Sequence, residues 1–277
     1  MQVAVLGVGK MGSAFAKGLL RSGTVAAEDL FLIEQDEGRR RALRQEFDGS
    51  NIEAELPEGR EGFSPDVALL SVKPQDLAGL LGAVSERLDL RSVVLSIVAG
   101  VKIASLESRL GKPYRIVRAM PNLGATVGAG VSAFAASKHA REEDRALART
   151  VLEAVGPAIE VPESKLDAVT AVSGSGPAYV FLLAEAMERA AVELGLSRQE
   201  AETLVAHTVL ASGLLLVEEG PLKEGGRSAA EWREAVTSKG GTTEAALRVF
   251  QEHGFSEVVS KAIEKAARRA AELDALA

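Results

Sequence analysis

Three glycines near the start of the chain are spaced for binding a phosphate. The segment Gly7–Gly12 has the pattern G-x-G-x-x-G, follows a short apolar run and precedes an apolar helical pattern. In this context the first glycine permits a tight turn, Gly9 lets the backbone approach a pyrophosphate, and Gly12 lets the helix pack close to the strand. The N–H groups of Val8–Met11 are then expected to face phosphate oxygens at the positive end of the helix. The segment predicts a dinucleotide site, with a helix-entry turn that binds no ligand as the alternative.

An acidic residue, Glu34, lies 22 residues after Gly12 at the end of the second apolar strand. A carboxylate at this position accepts hydrogen bonds from the ribose hydroxyls of NAD and repels the 2′-phosphate of NADP. The basic run Arg39–Arg41 follows closely and could offset that charge, or could form a solvated helix face. The sequence therefore leaves both NAD and NADP open as the cofactor.

Residues that follow other apolar strands are predicted to contact the same cofactor. Ligands of open parallel sheets bind beyond the carboxyl ends of the strands, which is where Ser71–Pro74, Ile97–Gly100 and Met120–Asn122 are expected. Asn122 is a candidate for orienting the nicotinamide amide, whereas Lys73 fits a surface lysine equally well. The predicted cofactor residues are Leu6, Gly7, Val8, Gly9, Lys10, Met11, Gly12, Glu34, Ser71, Val72, Lys73, Pro74, Val98, Ala99 and Asn122.

Two Gly-rich segments in the second half of the chain are candidates for binding a substrate carboxylate. Ser173–Pro177 precedes a long apolar helix, and Thr237–Glu244 precedes another helix. Both segments can present N–H and hydroxyl donors to an anion at a helix N-terminus. Simple helix capping by Ser and Thr is the alternative for each. Two such segments in a chain with a dinucleotide site favour a functional role.

The elements that position these residues change character near Pro162. Before it, short apolar runs alternate with helical patterns, which predicts a Rossmann-like α/β domain with a mostly parallel sheet over residues 1–162. After it no strand pattern is found, and an all-α domain for substrate binding and dimerisation is predicted over residues 163–277. Helix starts are predicted near Pro177, Ser197, Ser228, Thr243 and Ser256.

The helices that begin near Pro177 and Ser197 are apolar on more than one face, which is typical of buried helices. A domain of roughly 115 residues can hardly bury two such helices by itself. Helices of another subunit are therefore expected to cover them, and a tight monomeric bundle is the alternative.

Composition narrows the functional classes. The chain has 277 residues, a net charge of -7, no cysteine and three histidines. An acidic balance disfavours nucleic acid as a partner, and the absence of cysteine excludes disulfides and thiol catalysis. The widely separated histidines match no metal-ligand spacing, so no metal is expected. The first apolar run, Val3–Leu6, is too short for a signal peptide or a membrane span, so a cytoplasmic protein without a membrane partner is expected.

Together these segments resemble the pyrroline-5-carboxylate reductase family. The matching segments occur in order over nearly the whole chain, and they are Gly7–Gly12, Ser71–Pro74, Arg118–Asn122, Ser173–Tyr179 and Thr237–Thr243. The two segments in the helical half are the more specific, since the glycine pattern alone fits many dehydrogenases. Two positions depart from the family pattern: Lys239 stands where a proline is usual, and Glu34 replaces the small or basic residue of members that prefer NADPH.

The resemblance implies hydride transfer from NADH or NADPH to the C=N bond of 1-pyrroline-5-carboxylate, which gives L-proline in the last step of proline biosynthesis. It also implies that Thr243 is the catalytic residue, with its hydroxyl on the ring nitrogen. The implied substrate-binding residues are Ser175, Ser238, Gly240, Gly241, Thr242 and Thr243. In similar proteins the helical domains intertwine as a homodimer, which can assemble further into a ring, a decamer of dimers.

Two other functions fit parts of the pattern. A hydroxyacid dehydrogenase with a Rossmann domain followed by helices would use a lysine in its helical half, and only Lys165 and Lys239 lie near the candidate segments. A redox-sensing regulator would bind the dinucleotide and report it to a partner. The acidic charge and the lack of a DNA-binding element disfavour a repressor, and a regulator would leave the Gly240–Thr243 turn without a role beyond capping.

Overall fold

The computed structural model describes residues 1–57 and 64–276 and divides into two compact units. The first unit contains Met1–Ser175 together with Lys265–Ala277, and the second contains Gly176–Glu264. The short helices within residues 163–174 pack against the sheet of the first unit, which is why the division falls after them. The domain boundary near residue 162 stays a prediction.

The first unit is built on an eight-stranded sheet with the order β3-β2-β1-β4-β5-β6-β7-β8. The strands are β1 Val3–Leu6, β2 Leu30–Ile33, β3 Asn51–Glu53, β4 Val67–Leu70, β5 Val93–Ser96, β6 Arg115–Pro121, β7 Ser132–Ala136 and β8 Ala158–Glu160. The first six strands are parallel to one another, whereas β7 is antiparallel to β6 and parallel to β8. The predicted Rossmann-like, mostly parallel sheet is confirmed.

Helices connect these strands in the first unit and make up the second. The helices of the first unit are α1 Lys10–Arg21, α2 Glu37–Glu46, α3 Leu77–Arg87, α4 Ile103–Leu110, α5 Glu142–Glu153 and α6 Leu166–Val169. The later helices are α7 Gly176–Glu193, α8 Arg198–Glu218, α9 Ala229–Ala235, α10 Thr242–Glu252 and α11 Phe255–Leu276. Among the described residues no strand follows β8, which agrees with the predicted change to helices.

Both faces of the sheet are buried, as the continuous apolar strands require. All four residues of β1 have no solvent exposure, and successive side chains of a strand point to opposite faces. Val3 and Val5 pack in one core with side chains of α1, α2 and α5. Ala4 and Leu6 pack in the other core with side chains of α3, α4 and α6. The parallel sheet is therefore covered on both faces, and its strand ends carry the exposed loops.

Serine and glutamate fix the start of α8, as the sequence predicts. The N–H of Glu200 donates to the Ser197 hydroxyl at 3.3 Å, and the N–H of Ser197 donates to the Glu200 carboxylate at 2.7 Å. Hydrogen bonds from the hydroxyl and N–H of Ser197 hold the pKa of Glu200 below its ordinary value. Ser228 and Glu231 form the same reciprocal pair at the start of α9.

The helices α7 and α8 pack against each other yet expose large apolar side chains. No residue of α7 is buried, and only Ala201 and Val205 of α8 are. Phe181 is 60% exposed and Leu182 is 67% exposed. By length and composition, the helical segments Glu163–Glu193 and Arg198–Glu218 could each cross a membrane, and 11% of each apolar stretch is buried. Surface of this kind marks an interaction site.

The packing of α1 on the sheet predicts that Phe15→Ala strongly destabilises the first unit. Phe15 has no solvent exposure, and truncation of a buried phenylalanine leaves a cavity that costs about 3–5 kcal/mol. Chemical denaturation measures the free energy of unfolding. The matched control is Leu222→Ala, because Leu222 is 97% exposed and its truncation is expected to change stability by less than about 0.5 kcal/mol. Equal stability of the two variants would contradict this packing.

Candidate active site

Strand register brings three predicted cofactor residues to one edge of the sheet. Leu6 at the end of β1 pairs with Ile33 of β2 on one side and with Leu70 of β4 on the other. The next residues, Gly7, Glu34 and Ser71, therefore lie side by side. The connection order reverses between β1 and β4, and open α/β sheets bind ligands beyond the strand ends at such a reversal.

The glycines of the turn meet different steric requirements. Gly7 has a φ of +91°, which side chains other than glycine rarely adopt. A Cβ on Gly12 would clash with the carbonyl oxygen of Gly7 and lie 2.8 Å from the Ser71 hydroxyl oxygen. That hydroxyl donates to the Gly7 carbonyl at 2.6 Å and ties the turn to β4. A Cβ on Gly9 would meet nothing within 4 Å, so this part of the backbone is open to a ligand.

The first turn of α1 has N–H groups that no side chain caps. Gly9 is the N-cap residue and makes no side-chain hydrogen bond, and the first N–H groups of a helix have no partner within the helix. Lys10 and Met11 therefore present donors at the positive end of the helix. The expectation of a free N–H at Val8 is wrong, because this N–H donates to Oε2 of Glu34 at 3.1 Å.

Two backbone hydrogen bonds hold the Glu34 carboxylate beside the glycine turn. Oε2 accepts from the N–H of Val8, and Oε1 accepts from the N–H of Asp36, each at 3.1 Å. The sequence did not predict this contact because it depends on the register between β1 and β2. The carboxylate keeps lone pairs that can accept further hydrogen bonds.

The three arginines that follow Glu34 lie in different environments. Arg39 donates to the carbonyl oxygen of Val8 at 3.3 Å and to the Ser13 hydroxyl at 2.8 Å. Arg40 donates to the carbonyl oxygen of Glu34 at 2.8 Å. Arg41 forms an exposed ion pair within α2. The alternative of one solvated helix face therefore describes Arg41 only.

A groove of about 640 Å³ in the first unit collects part of the predicted cofactor residues. Those that line it are Gly7, Gly9, Glu34, Ser71, Val72 and Lys73. The other lining residues were not predicted from the sequence, and they are Ile33, Gln35, Ala54, Glu55, Leu56, Gln75, Asp76, Gly79, Leu80, Ala83 and Arg87. Three of them follow β3, whose three residues are too short to give a strand signal, and six lie on α3 or in the turn before it. An ion pair of 2.9 Å joins Glu55 to Arg87.

The remaining predicted cofactor residues do not line this groove. Lys10 lies with Gly9 in an adjoining groove of about 520 Å³. The side chains of Leu6, Val8 and Val98 are buried in the sheet cores, so only their backbone atoms could contact a ligand. Met11, Gly12, Pro74, Ala99 and Asn122 line neither groove.

Asn122 follows β6 at the same edge of the sheet as Gly7. Its side-chain oxygen accepts a hydrogen bond from the N–H of Val131 at 3.1 Å. This contact joins the end of β6 to the start of β7 and gives Asn122 a structural role. Its amide nitrogen stays available as a donor.

The segment Ser173–Pro177 leads into α7, which begins at Gly176 as the sequence predicts. The residues before it are also helical, in α6 and in the π-helical turn Thr170–Gly174. The N–H of Ser175 donates to the carbonyl oxygen of Thr170 at 2.8 Å. The prediction of a free donor is therefore wrong for the Ser175 N–H. The wide turn is of a kind that is frequent at functional sites.

The second segment, Thr237–Glu244, does form a helix N-terminus. Gly240 has a φ of +72°, and Gly241 is the N-cap residue of α10 without a side-chain hydrogen bond. The N–H of Gly240 donates to the Glu244 carboxylate at 2.7 Å, and that of Gly241 donates to the carbonyl oxygen of Ser238 at 3.0 Å. The prediction of free donors is therefore wrong for these two glycines.

Thr242 and Thr243 open α10 with N–H groups in its first turn. The Thr243 side chain is half-buried, and its hydroxyl forms no hydrogen bond to any described residue. Lys239 is exposed in the same loop. This end of α10 thus carries backbone donors and one hydroxyl that an anionic ligand could engage.

Among the residues that the structure describes, no group of three or more His, Cys, Asp or Glu side chains could hold a metal ion.

Two family models match the chain in segments that correspond to these sites. The model described as NADP oxidoreductase coenzyme F420-dependent matches residues 2–100, which include the glycine turn and the groove. The model described as pyrroline-5-carboxylate reductase dimerisation matches residues 163–273, which include α7, α8 and α10.

Known proteins match over nearly the full length. The chain is 38% identical to pyrroline-5-carboxylate reductase of Mycobacterium tuberculosis, over 98% of this chain and 96% of that protein. A solved pyrroline-5-carboxylate reductase of Coxiella burnetii has 32% identity and a TM-score of 0.89, with 98% of both chains covered. A Plasmodium falciparum pyrroline carboxylate reductase, solved with NADP bound, has 26% identity and a TM-score of 0.82, with 99% and 98% covered. The chain belongs to the pyrroline-5-carboxylate reductase family of NAD(P)H-dependent oxidoreductases acting on a C=N bond.

Proposed function

We propose that the chain reduces 1-pyrroline-5-carboxylate to L-proline with the glycine turn as its dinucleotide site and the start of α10 as its carboxylate site. The observation that carries the proposal is the uncapped N-terminus of α1 beside the open backbone at Gly9. Full-length similarity to reductases of this name supports the reaction.

The glycine turn and the groove beside it together offer donor and acceptor groups that suit a dinucleotide. The N–H groups of Lys10 and Met11 suit the negative pyrophosphate, and the fixed Glu34 carboxylate suits a ribose hydroxyl. The side chains of Ser71 and Val72 hold Gly7 in its turn, so the binding surface exists before the ligand arrives. The bound reduced cofactor supplies the hydride.

The start of α10 fits the substrate carboxylate. The N–H groups of Thr242 and Thr243 are the available first-turn donors, since those of Gly240 and Gly241 are already engaged. Within Ser238–Thr243, the main-chain donors proposed to bind the substrate are therefore those of Thr242 and Thr243. Ser175, which the family resemblance also implies, would act through its hydroxyl because its N–H is engaged.

Thr243 is proposed to orient the imine through its hydroxyl group. The imine nitrogen takes its proton from solvent, directly or by relay through the Thr243 hydroxyl, and that hydroxyl then accepts a hydrogen bond from the N–H. When the hydride adds to the adjacent carbon, a C–H bond forms and the π electrons of the C=N bond move onto nitrogen, which gives a neutral secondary amine. Because the protonated imine is already a strong electrophile, no strong acid is required. Positioning of the two reactants can supply up to roughly 7–11 kcal/mol of the acceleration.

A panel of substrates distinguishes this function from those of a hydroxyacid dehydrogenase and a redox-sensing regulator. The reductase consumes NADH or NADPH only after pyrroline-5-carboxylate is added. Oxidation of a 3-hydroxy acid, without imine reduction, would favour the hydroxyacid dehydrogenase. Dinucleotide binding with no turnover of either substrate would favour the regulator.

Self-association is supported by the dimerisation model over residues 163–273. We propose that a second copy covers the exposed faces of α7 and α8 as an intertwined homodimer, and that dimers can assemble further into a ring, a decamer of dimers. The same model covers both segments that are apolar enough to cross a membrane. A protein partner for these faces supports a cytoplasmic location without membrane insertion, and the net charge of -7 disfavours nucleic acid as a partner.

The open space at Gly9 predicts that Gly9→Ala weakens dinucleotide binding without unfolding the protein. The new methyl group meets no protein atom within 4 Å, but it would occupy the approach of the pyrophosphate. The dissociation constant, measured by fluorescence of the reduced nicotinamide, is expected to rise at least about tenfold. Gly82→Ala is the matched control, since that site in α3 is equally open and outside the groove. Unchanged affinity in Gly9→Ala would remove the turn from the site.

The proposed role of Thr243 predicts a kinetic defect in Thr243→Ala. A lost hydrogen bond to a charged group costs about 1.5–3 kcal/mol, so kcat/KM should fall roughly 10- to 150-fold. Thr243→Ser keeps the hydroxyl and should retain most of the activity. Thr150→Ala controls for a threonine on an exposed helix face outside both sites. Full turnover and unchanged KM in Thr243→Ala would exclude Thr243 from the mechanism.

The proposed dimer predicts a change of mass in Phe181→Glu. The wild-type chain should elute at no less than twice 29.0 kDa, and a buried charge at the interface should shift it toward one subunit. Leu222→Glu places the same charge at a site that is 97% exposed outside α7 and α8, and should keep the wild-type mass. A wild-type mass of one subunit would contradict the dimer.

A further inference from the structure

We propose that Glu34 makes this enzyme select NADH over NADPH, and that Arg39 is the cation that would bind a 2′-phosphate once the Glu34 carboxylate is neutralised. The inference rests on the proposed function, because it concerns the cofactor groove. It adds a preference between NADH and NADPH, which the family name does not specify.

The position of the carboxylate is fixed by the fold. Register places Glu34 next to Gly7 at the sheet edge, and the N–H groups of Val8 and Asp36 each bind one carboxylate oxygen at 3.1 Å. Rotation of the side chain away from the turn would break both hydrogen bonds. A ligand in the groove therefore meets a negative charge whose position is set.

A fixed carboxylate distinguishes the two cofactors at the adenosine ribose. The 2′-hydroxyl of NADH can donate a hydrogen bond to its free lone pairs. The 2′-phosphate of NADPH carries more than one negative charge and would be repelled. The carboxylate of Asp36 lies two residues on and accepts the N–H of Arg39 at 2.6 Å, which adds a second negative charge near this position.

The neighbouring cations do not neutralise Glu34. Within residues 1–57 and 64–273, no basic side chain forms an ion pair with its carboxylate. Arg40 binds main-chain carbonyl oxygens of Glu34 and Gln35. The acidic side chains that line the groove are Glu34, Glu55 and Asp76, and the basic ones are Lys73 and Arg87, so the lining carries a net negative charge.

Arg39 is anchored on the peptide that also binds Glu34. Its Nε donates to the Val8 carbonyl oxygen at 3.3 Å, whereas Glu34 accepts from the Val8 N–H. The guanidinium also lies 3.8 Å from Glu46 and is 39% exposed, so it keeps donors for a ligand. Arg39 lines the adjoining groove, and Gly9 lines both grooves. Without the Glu34 charge, a phosphate beside Gly9 would meet the exposed guanidinium, a group that binds phosphate strongly.

Binding measurements without imine test the selectivity separately from the reaction. We expect wild-type protein to bind NADH at least about tenfold more tightly than NADPH, and Glu34→Gln to lower that ratio at least about tenfold. The glutamine carbonyl can still accept the Val8 N–H, whereas its NH2 group cannot accept the Asp36 N–H. The melting temperature checks that the fold is preserved. Glu37→Gln removes the same charge from an exposed site outside the groove and should leave the ratio within about twofold.

A double variant tests the role of Arg39. Relative to Glu34→Gln, the variant Glu34→Gln/Arg39→Gln should lose the gained NADPH affinity and keep its NADH affinity within about threefold. Equal or tighter NADPH binding by wild-type protein would overturn the selectivity, as would an unchanged ratio in Glu34→Gln. An unchanged NADPH affinity in the double variant would overturn the role of Arg39. Wild-type protein that bound neither dinucleotide would overturn the proposed function itself.

Discussion

The close approach of α1 to the ends of β1 and β4 is the constraint on which the cofactor site depends. It requires a positive φ at Gly7 and no side chain at Gly12, and the Ser71 hydroxyl closes it by binding the Gly7 carbonyl. The same turn leaves the start of α1 uncapped and directs its donors outward. The packing of α1 against the strand ends thus places N–H donors, at the positive end of the helix, where a pyrophosphate can bind.

The two units of the chain differ in how they bury their apolar surfaces. The first buries both faces of a parallel sheet under its own helices, so it can hold a preformed groove. The second leaves the apolar faces of α7 and α8 uncovered within one chain, which couples its stability to self-association. The proposed catalytic threonine lies on α10 of this unit, so the proposed assembly and the proposed catalysis involve the same unit.

Apolar periodicity and turn chemistry were enough to predict much of this architecture. The runs at Val3–Leu6 and Val67–Leu70, the glycine turn and the Ser197–Glu200 capping box all carry local signals. Strands of three residues, such as β3, carry too little pattern, and the groove wall that follows β3 was missed with them.

The errors concern hydrogen bonds that composition alone does not show. Ser173–Pro177 precedes a helix as predicted, yet the π turn before it engages the N–H of Ser175. The Glu34 contact to Val8 could not be read from either segment alone, because strand register creates it. Likewise, Glu244 engages a donor of the Gly240 turn that its composition suggested was free.

Isotopic labelling tests whether a hydride passes directly from the reduced nicotinamide to pyrroline-5-carboxylate. Reduction of pyrroline-5-carboxylate with nicotinamide deuterated at the transferring position should give proline with one deuterium on the carbon of the former C=N bond. Mass spectrometry and NMR locate the label. Proline without deuterium at that carbon, or no proline at all from the intact protein, would contradict direct transfer.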